Sequence, residues 1–279
     1  MLLKSFLVTF LVLALLLAGP AFVLATGIVT VGGSWATAHR GSAGIAPDPA
    51  TMREAIVQLY AARAFSWRGA FGVHTWYAVK EEDAAAYTVY EVIGWRAWRG
   101  MSAVAIERRT PDGYWFGQMP HVVAELRGEA ATAAIPKIDA AARAYPYERE
   151  YRIWPGPNSN TFTAWVARAT PELRTDLPPN ALGKDFLGGR LVARAPSGTG
   201  WQVSLFGLLG LLVAQEEGIE VNVLGLTVGL DPLEPALKLP GLGRLGPGTR
   251  PRPAGTPPTT IRATLRYWRR RRPEPPATG

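Results

Sequence analysis

Apolar and polar positions alternate in different ways along this chain, and each regime predicts a different element. From Ser5 to Ala38 no side chain is charged. The run SFLVTFLVLALLLAGPAFVLA is long enough to cross a bilayer as one helix, with Lys4 as its basic flank. Gly19-Pro20 interrupts it, and the shorter piece before that break has the length of a signal-peptide apolar core, with Val23-Leu24-Ala25 as the cleavage site. Both readings export the rest of the chain. The continuation of the run past Pro20 favours an uncleaved anchor over residues 1–30.

Behind an irregular stretch, Thr51-x-x-Glu54 has the form of a capping box and predicts a helix through about Phe65, with Ile56, Leu59, Tyr60 and Arg63 along one side. GAFGVHTWYAVKE and YTVYEVIGW are rich in β-branched and aromatic residues and predict two strands. KEEDAAA suits an antiparallel hairpin between them. On the first strand Phe71, Val73, Tyr77 and Val79 alternate with Gly72, His74, Trp76 and Ala78, so its two faces differ. A charged turn region with one more short strand comes next. An alanine-rich stretch from His121 to Ala144 then predicts helix, broken at Gly128 and Pro136.

The clearest start in the chain is near residue 158. Pro155 and Pro157 bar a helix before it, and Asn158 can cap one after it. Phe162, Trp165, Val166 and Ala169 recur at helical spacing until Thr170-Pro171 ends the pattern. LPPNALGKDFLGG is a loop, in which Lys184-Asp185 reads as a surface pair. WQVSLFGLLGLLVAQ and GIEVNVLGLTVGL predict a glycine-rich apolar strand pair. Glu216, Glu217 and Glu220 interrupt it as a solvated turn and make a second membrane span improbable.

Charge changes the picture at one end only. The 279 residues carry 30 Lys and Arg against 22 Asp and Glu, and the whole excess lies beyond Gly243, where nine Arg face Glu274 alone. Residues 1–243, the anchor segment with the body over 31–243, are therefore neutral, so the net charge of +8 does not point to a nucleic-acid partner. The tail over 244–279 holds eight prolines and reads as disordered. Within it Ile261, Leu265 and Trp268 fall on one helical stripe beside Arg262, Arg266 and Arg269. That pattern suits an anionic membrane surface, and a solvated tail fits it equally.

The chain has no cysteine, which excludes disulfides, a thiol nucleophile and cysteine-ligated metals. Three histidines (His39, His74, His121) make a histidine-rich metal site improbable, and no cofactor motif is present. GLLG and GLGRLG lack phosphate-loop spacing. The candidate chemistry is a serine at a helix start with a strand histidine. Ser159 would gain from the unpaired N–H groups of the first turn, His74 would be its general base, and Glu91 or Thr88 on the neighbouring strand would orient the imidazole. Each part also has a plain structural reading, as a hydrogen-bonded strand histidine and a helix cap.

The motifs HTWYAVK, YEVIGW, YPYEREYRIWPGPNSNTF, LPPNALGKDF and EEGIEVNVLGLTVGLDP, from about Trp35 to Gly243, resemble the bacterial domain of unknown function 3750 family. That resemblance implies a membrane or envelope setting and no particular activity. A second resemblance is to the permuted papain-like superfamily, which includes lecithin-retinol acyltransferase-like proteins and cell-wall amidases. There a histidine strand precedes an Asn-Cys pair opening the nucleophile helix, an order that His74, the Thr88–Trp95 strand and Asn158-Ser159 share. Ser159 stands where the cysteine would be, so a Cys–His ion pair cannot carry over.

Together these readings predict an α+β fold, an antiparallel sheet packed with helices in a permuted papain-like arrangement. An N-terminal membrane helix and a disordered C-terminal tail flank it. The expected location is the cytoplasmic membrane, with the body on the periplasmic or extracytoplasmic side. Membrane lipid and a peptidoglycan or other envelope ligand are the expected partners. Two functions compete: a non-catalytic binding or scaffold module, and a serine hydrolase or acyltransferase acting on peptidoglycan or lipid.

Overall fold

A computed structural model describes residues 2–246. The Arg-rich stripe around Trp268 lies outside the described residues. Helix α1 (Leu2–Ala25) leads into irregular chain and then into two antiparallel sheets. The first comprises β1 (Ile56–Arg63), β2 (Val73–Lys80), β3 (Thr88–Val92), β4 (Val104–Arg108) and β5 (His121–Arg127), in the order β4-β3-β2-β1-β5. A short helix, α2 (Gly94–Trp98), joins β3 to β4. Helices α3 (Gly128–Arg143) and α4 (Ser159–Ala169) pack on one face of this sheet.

The helix expected from Thr51 to Phe65 is instead β1, the strand between β2 and β5. Seven of its eight residues are buried, because helices cover one face and the irregular segments cover the other. A strand buried on both sides shows no alternation, so IVQLYAAR can be mistaken for a helix face. The stretch from His121 is likewise corrected. HVVAELR is β5, an alternating strand, and helix begins only at Gly128, then runs through Pro136. Gly128 adopts a positive φ of 56°, which lets β5 turn straight into α3 without a connecting loop. The hairpin of β2 and β3 is antiparallel as expected, with Tyr77 opposite Tyr90.

The core between the helices and the sheet is apolar. Leu59, Tyr77, Ile138, Phe162 and Leu177 lie in it with almost no exposure. The opposite face carries a second cluster, in which Tyr60 and Trp76 stack with ring centres 5.5 Å apart. The irregular segments seal this face. Trp76 donates from its indole nitrogen to the Pro111 carbonyl (2.7 Å), and the Tyr87 hydroxyl donates to Pro47 (2.9 Å).

The second sheet is a meander of seven short strands: β6 (Val192–Arg194), β7 (Gly200–Leu205), β8 (Leu209–Ala214), β9 (Gly218–Val223), β10 (Leu226–Asp231), β11 (Ala236–Leu239) and β12 (Gly243–Leu245). The expected strand pair is thus four strands, since tight turns at Phe206-Gly207 and Leu224-Gly225 fold each segment on itself. Its faces are inverted relative to an ordinary sheet. Gln202, Ser204, Glu220, Asn222, Thr227 and Lys238 point inward and are buried. Trp201, Val203, Leu211, Val213, Ile219 and Val221 point outward and are about half exposed.

The buried charges on the inner face correct two expectations. Lys184 and Asp185 are not a surface pair, and Glu217 and Glu220 do not sit in a solvated turn, since all four are 4% exposed or less. Lys184 donates to Glu220 (2.5 Å) and Asp185 (3.2 Å). Lys238 donates to Glu220 (2.7 Å) and Asp176 (2.6 Å). Arg244 in β12 pairs with Asp231 at 2.8 Å. Burying an ion is costly unless partners surround it, and every charge of this cluster has one or more.

Candidate functional site

The start of α4 is built from local sequence. Asn158 has extended backbone angles and caps the helix: its Oδ1 accepts from the N–H groups of Asn160 (3.0 Å) and Thr161 (3.2 Å). Thr161 Oγ1 accepts in return from the Asn158 N–H (3.2 Å), completing a capping box. The side-chain amides then tie this turn to its surroundings. Asn158 donates to the carbonyls of Ile153 and Leu182, and Asn160 donates to those of Val73 and Leu182. Thr75 on β2 donates to Asn160 Oδ1 at 2.8 Å, and its hydroxyl lies 2.7 Å from that of Thr163. Asn158, Asn160, Thr161 and Thr163 are thereby committed to the fold.

His74 is elsewhere. Residues of β2 alternate between faces, and Thr75 and Tyr77 are the ones that meet α4, since the Tyr77 hydroxyl donates to the Thr163 carbonyl. His74 and Trp76 therefore face the other side of the sheet. There the imidazole lies flat against Trp115, with ring centres 3.5 Å apart and planes 8° from parallel. The β2 residues bonded to α4 are thus Thr75 and Tyr77, and the hydrogen bond of the imidazole goes to Glu91. Ser159 and His74 are both buried, at 4% and 5% exposure. Thr88 lies on the face of Tyr90, away from His74, and is not its partner.

Glu91 does meet His74. Its Oε2 lies 2.9 Å from His74 Nε2, and its Oε1 accepts from Arg109 at 2.5 Å. Burial opposes ionisation of Glu91, but the His74 hydrogen bond and the Arg109 charge outweigh it and hold the carboxyl below its usual range. An ionised Glu91 requires the proton on Nε2 of a neutral imidazole, which makes Nδ1 an acceptor. Burial lowers the affinity of His74 for a second proton, and Glu91 only partly offsets this. The result is an Arg109–Glu91–His74 relay under an aromatic cover. Arg109 is its accessible member, with 32% of its side chain exposed.

This geometry can orient a neutral imidazole and present a guanidinium. Among the described residues no group of three or more His, Asp or Glu side chains is placed to hold a metal ion. A surface groove of about 640 Å³ lies apart from the relay, lined by Glu81, Glu82, Tyr90, Ile135 and Asp139 among others. Sequence reasoning misses Arg109 and Trp115, because they sit in an irregular loop where no periodicity assigns a direction. It also misses Thr75 and Asn160, though Asn160 and Thr163 stand three residues apart on α4, a spacing that marks a shared polar face.

Residues 54–186 match the model of a family described as "Protein of unknown function (DUF3750)". No curated protein and no solved structure matches.

Proposed function

Through residues 54–186 the chain belongs to the DUF3750 family, and because that family is defined without a function we propose one from the geometry. The protein is a membrane-tethered, non-catalytic binding module of the cell envelope, anchored by α1. Its ligand is an acidic envelope component, a peptidoglycan fragment or a lipid headgroup, received at Arg109 beside Trp115. The observation that carries this reading is the separation of Ser159 from His74 by the sheet, which leaves the serine without a base. Arg109 supports the ligand chemistry: its Nη2 donates to Glu91 and its Nη1 to the Thr110 carbonyl at 3.5 Å, and the partly exposed guanidinium keeps further N–H groups for a carboxylate or phosphate. The α1 sequence supports the tether, since an 18-residue window within Leu3–Ala25 has a mean hydropathy of 2.6.

Two measurements test this. A fluorophosphonate probe should label the wild-type protein no more than Ser159→Ala; labelling that disappears in the variant would restore the hydrolase reading. Titration with soluble peptidoglycan fragments, and separately with glycerophosphoglycerol as the soluble headgroup of an anionic lipid, should change tryptophan fluorescence. Arg109→Ala should abolish that change. Unaltered binding by Arg109→Ala would remove the assigned ligand position.

A further inference from the structure

The seven-stranded sheet supplies a second surface, and its two ends differ. In a meander alternate turns fall at the same end. At one end lie the turns Phe206-Gly207-Leu208, Leu224-Gly225 and Pro240-Gly241-Leu242. Phe206 and Leu224 are about half exposed there, beside Trp154, whose indole nitrogen donates to the Leu224 carbonyl at 2.8 Å. At the other end the turns carry Glu216 and Glu234, which pair with Arg174 and Arg244, so that end is charged where the first is apolar. Between the ends, the outward positions of β7 through β12 hold no charged residue. With strands about 4.8 Å apart and about 3.3 Å per residue, the face measures roughly 30 by 20 Å. That equals or exceeds the largest apolar patch of an ordinary monomer, on the order of 300–600 Å².

The apolar end is also where α1 attaches. Leu16, Gly19, Pro20 and Val23 are the buried positions of that helix. Gly19 lies so close to Pro240 that a Cβ there would come within 2.0 Å of its carbonyl oxygen. The helix built to enter a bilayer therefore meets the body at the apolar turns, and the charged turns point the other way. A sandwich of two copies would bury the sheet face but would need no difference between its ends. Placement against a membrane requires that difference.

We propose that the outward face of β7–β12, together with the turns at residues 206–208, 224–225 and 240–242, is a lipid-contacting surface that rests against the acyl chains of the leaflet α1 enters. This rests on the anchoring assigned to α1 above and extends it from a single helix to a whole sheet face. The inverted pattern is then accounted for: the sheet is polar toward the protein and apolar toward lipid, as in sheets that face hydrocarbon. Trp201, at the charged end of β7 with the Arg194 guanidinium 4.2 Å from its ring centre, is placed as the interfacial aromatic.

The absence of cysteine makes the test direct. Single-cysteine variants of the full chain (Phe10→Cys in α1, Leu211→Cys and Val221→Cys on the sheet face, Leu233→Cys at the charged end) are labelled with an environment-sensitive fluorophore. They are then reconstituted into phosphatidylethanolamine–phosphatidylglycerol vesicles with and without doxyl-labelled acyl chains. Positions 211 and 221 should lose fluorescence to the doxyl groups as fully as position 10, and position 233 should not. Quenching at 10 with 211 and 221 behaving like 233 would overturn the sheet proposal and leave the anchor standing. Quenching at 211 and 221 but not at 10 would sustain the sheet and remove the anchor. Protection of 221 from quenching together with Val221→Cys crosslinking between copies would assign the face to a second copy, and the proposal would fall.

Discussion

The two sheets of this protein use the same alternation and put it to opposite use. In the five-stranded sheet both faces are buried, and polar residues inside it (the His74–Glu91–Arg109 relay, the Thr75–Asn160 contact) are tied to named partners. In the seven-stranded sheet the buried face is the polar one, held by Lys184, Glu220 and Lys238, and the apolar face looks outward. Apolar burial supports the first, and ion pairing closes the inner side of the second. A period of two therefore establishes that two faces differ without establishing which one is inside.

The comparison breaks most readily at Glu220. Removing this carboxylate leaves Lys184 and Lys238 buried with one fewer partner each, a class of change that costs about 3–5 kcal/mol. Glu220→Ala should accordingly lose its cooperative thermal transition at temperatures where wild type is folded. An unchanged transition would show that the inner face is wetter than its 2% exposure implies.

A smaller effect sharpens the contrast of faces. Leu59→Ala, in the first core, should destabilise by about 2–5 kcal/mol because a cavity opens where nothing can enter. Leu211→Ala, on the outward face, should change stability in detergent by no more than about 0.5 kcal/mol. Denaturation of the two variants side by side checks this, and equal losses would mean that the outward face is already covered.

The smallest effect is one of pH. Burial pushes the Glu217 carboxyl up to about 7 against the hydrogen bonds from Ser197, compared with 4.5 for an ordinary glutamate. The folded state then holds this proton more tightly than the unfolded chain does. The contribution is fully present below about 4.5 and is lost as pH rises through about 7. His74 works in the opposite sense, because its lowered proton affinity makes stability fall as pH drops below 6.5. Glu217→Gln should remove the first slope and leave the second, read as melting temperature across pH 5 to 8. A variant with the wild-type profile would refute the assignment.

Local signals are legible in the sequence and long-range ones are not. The α4 start can be read because its prolines, its cap and its apolar spacing all lie between Pro155 and Ala169. β1 cannot, since its eight residues are shielded by segments far along the chain and a chance Thr51-x-x-Glu54 imitates a helix start. β5 is hidden by the alanines behind it. The strand order His74, then Glu91, then the Asn158 helix is visible, and the contact between His74 and Glu91 comes from adjacent strands. That Ser159 lies across the sheet depends on the parity of one residue, Thr75 rather than His74 meeting α4. Lys184 and Lys238 read as ordinary charges because their shared partner, Glu220, is brought to them only by the meander.

The contact of Gly19 with Pro240 has a mechanical consequence. Val23, in the last turn of α1, is fully buried in a cluster with Val29 and Ala70, and Arg63 clamps the turn beside Pro240 through the Gly241 carbonyl at 3.0 Å. A helix seated this way is a strut and not a leash. With α1 as the proposed anchor, the body would follow its tilt and keep a fixed height along it, so the reach of the proposed Arg109 site would be set by geometry and not by the swing of a linker. Clipping the chain after Ala25 would do more than free the protein: it would strip the cover from that seat.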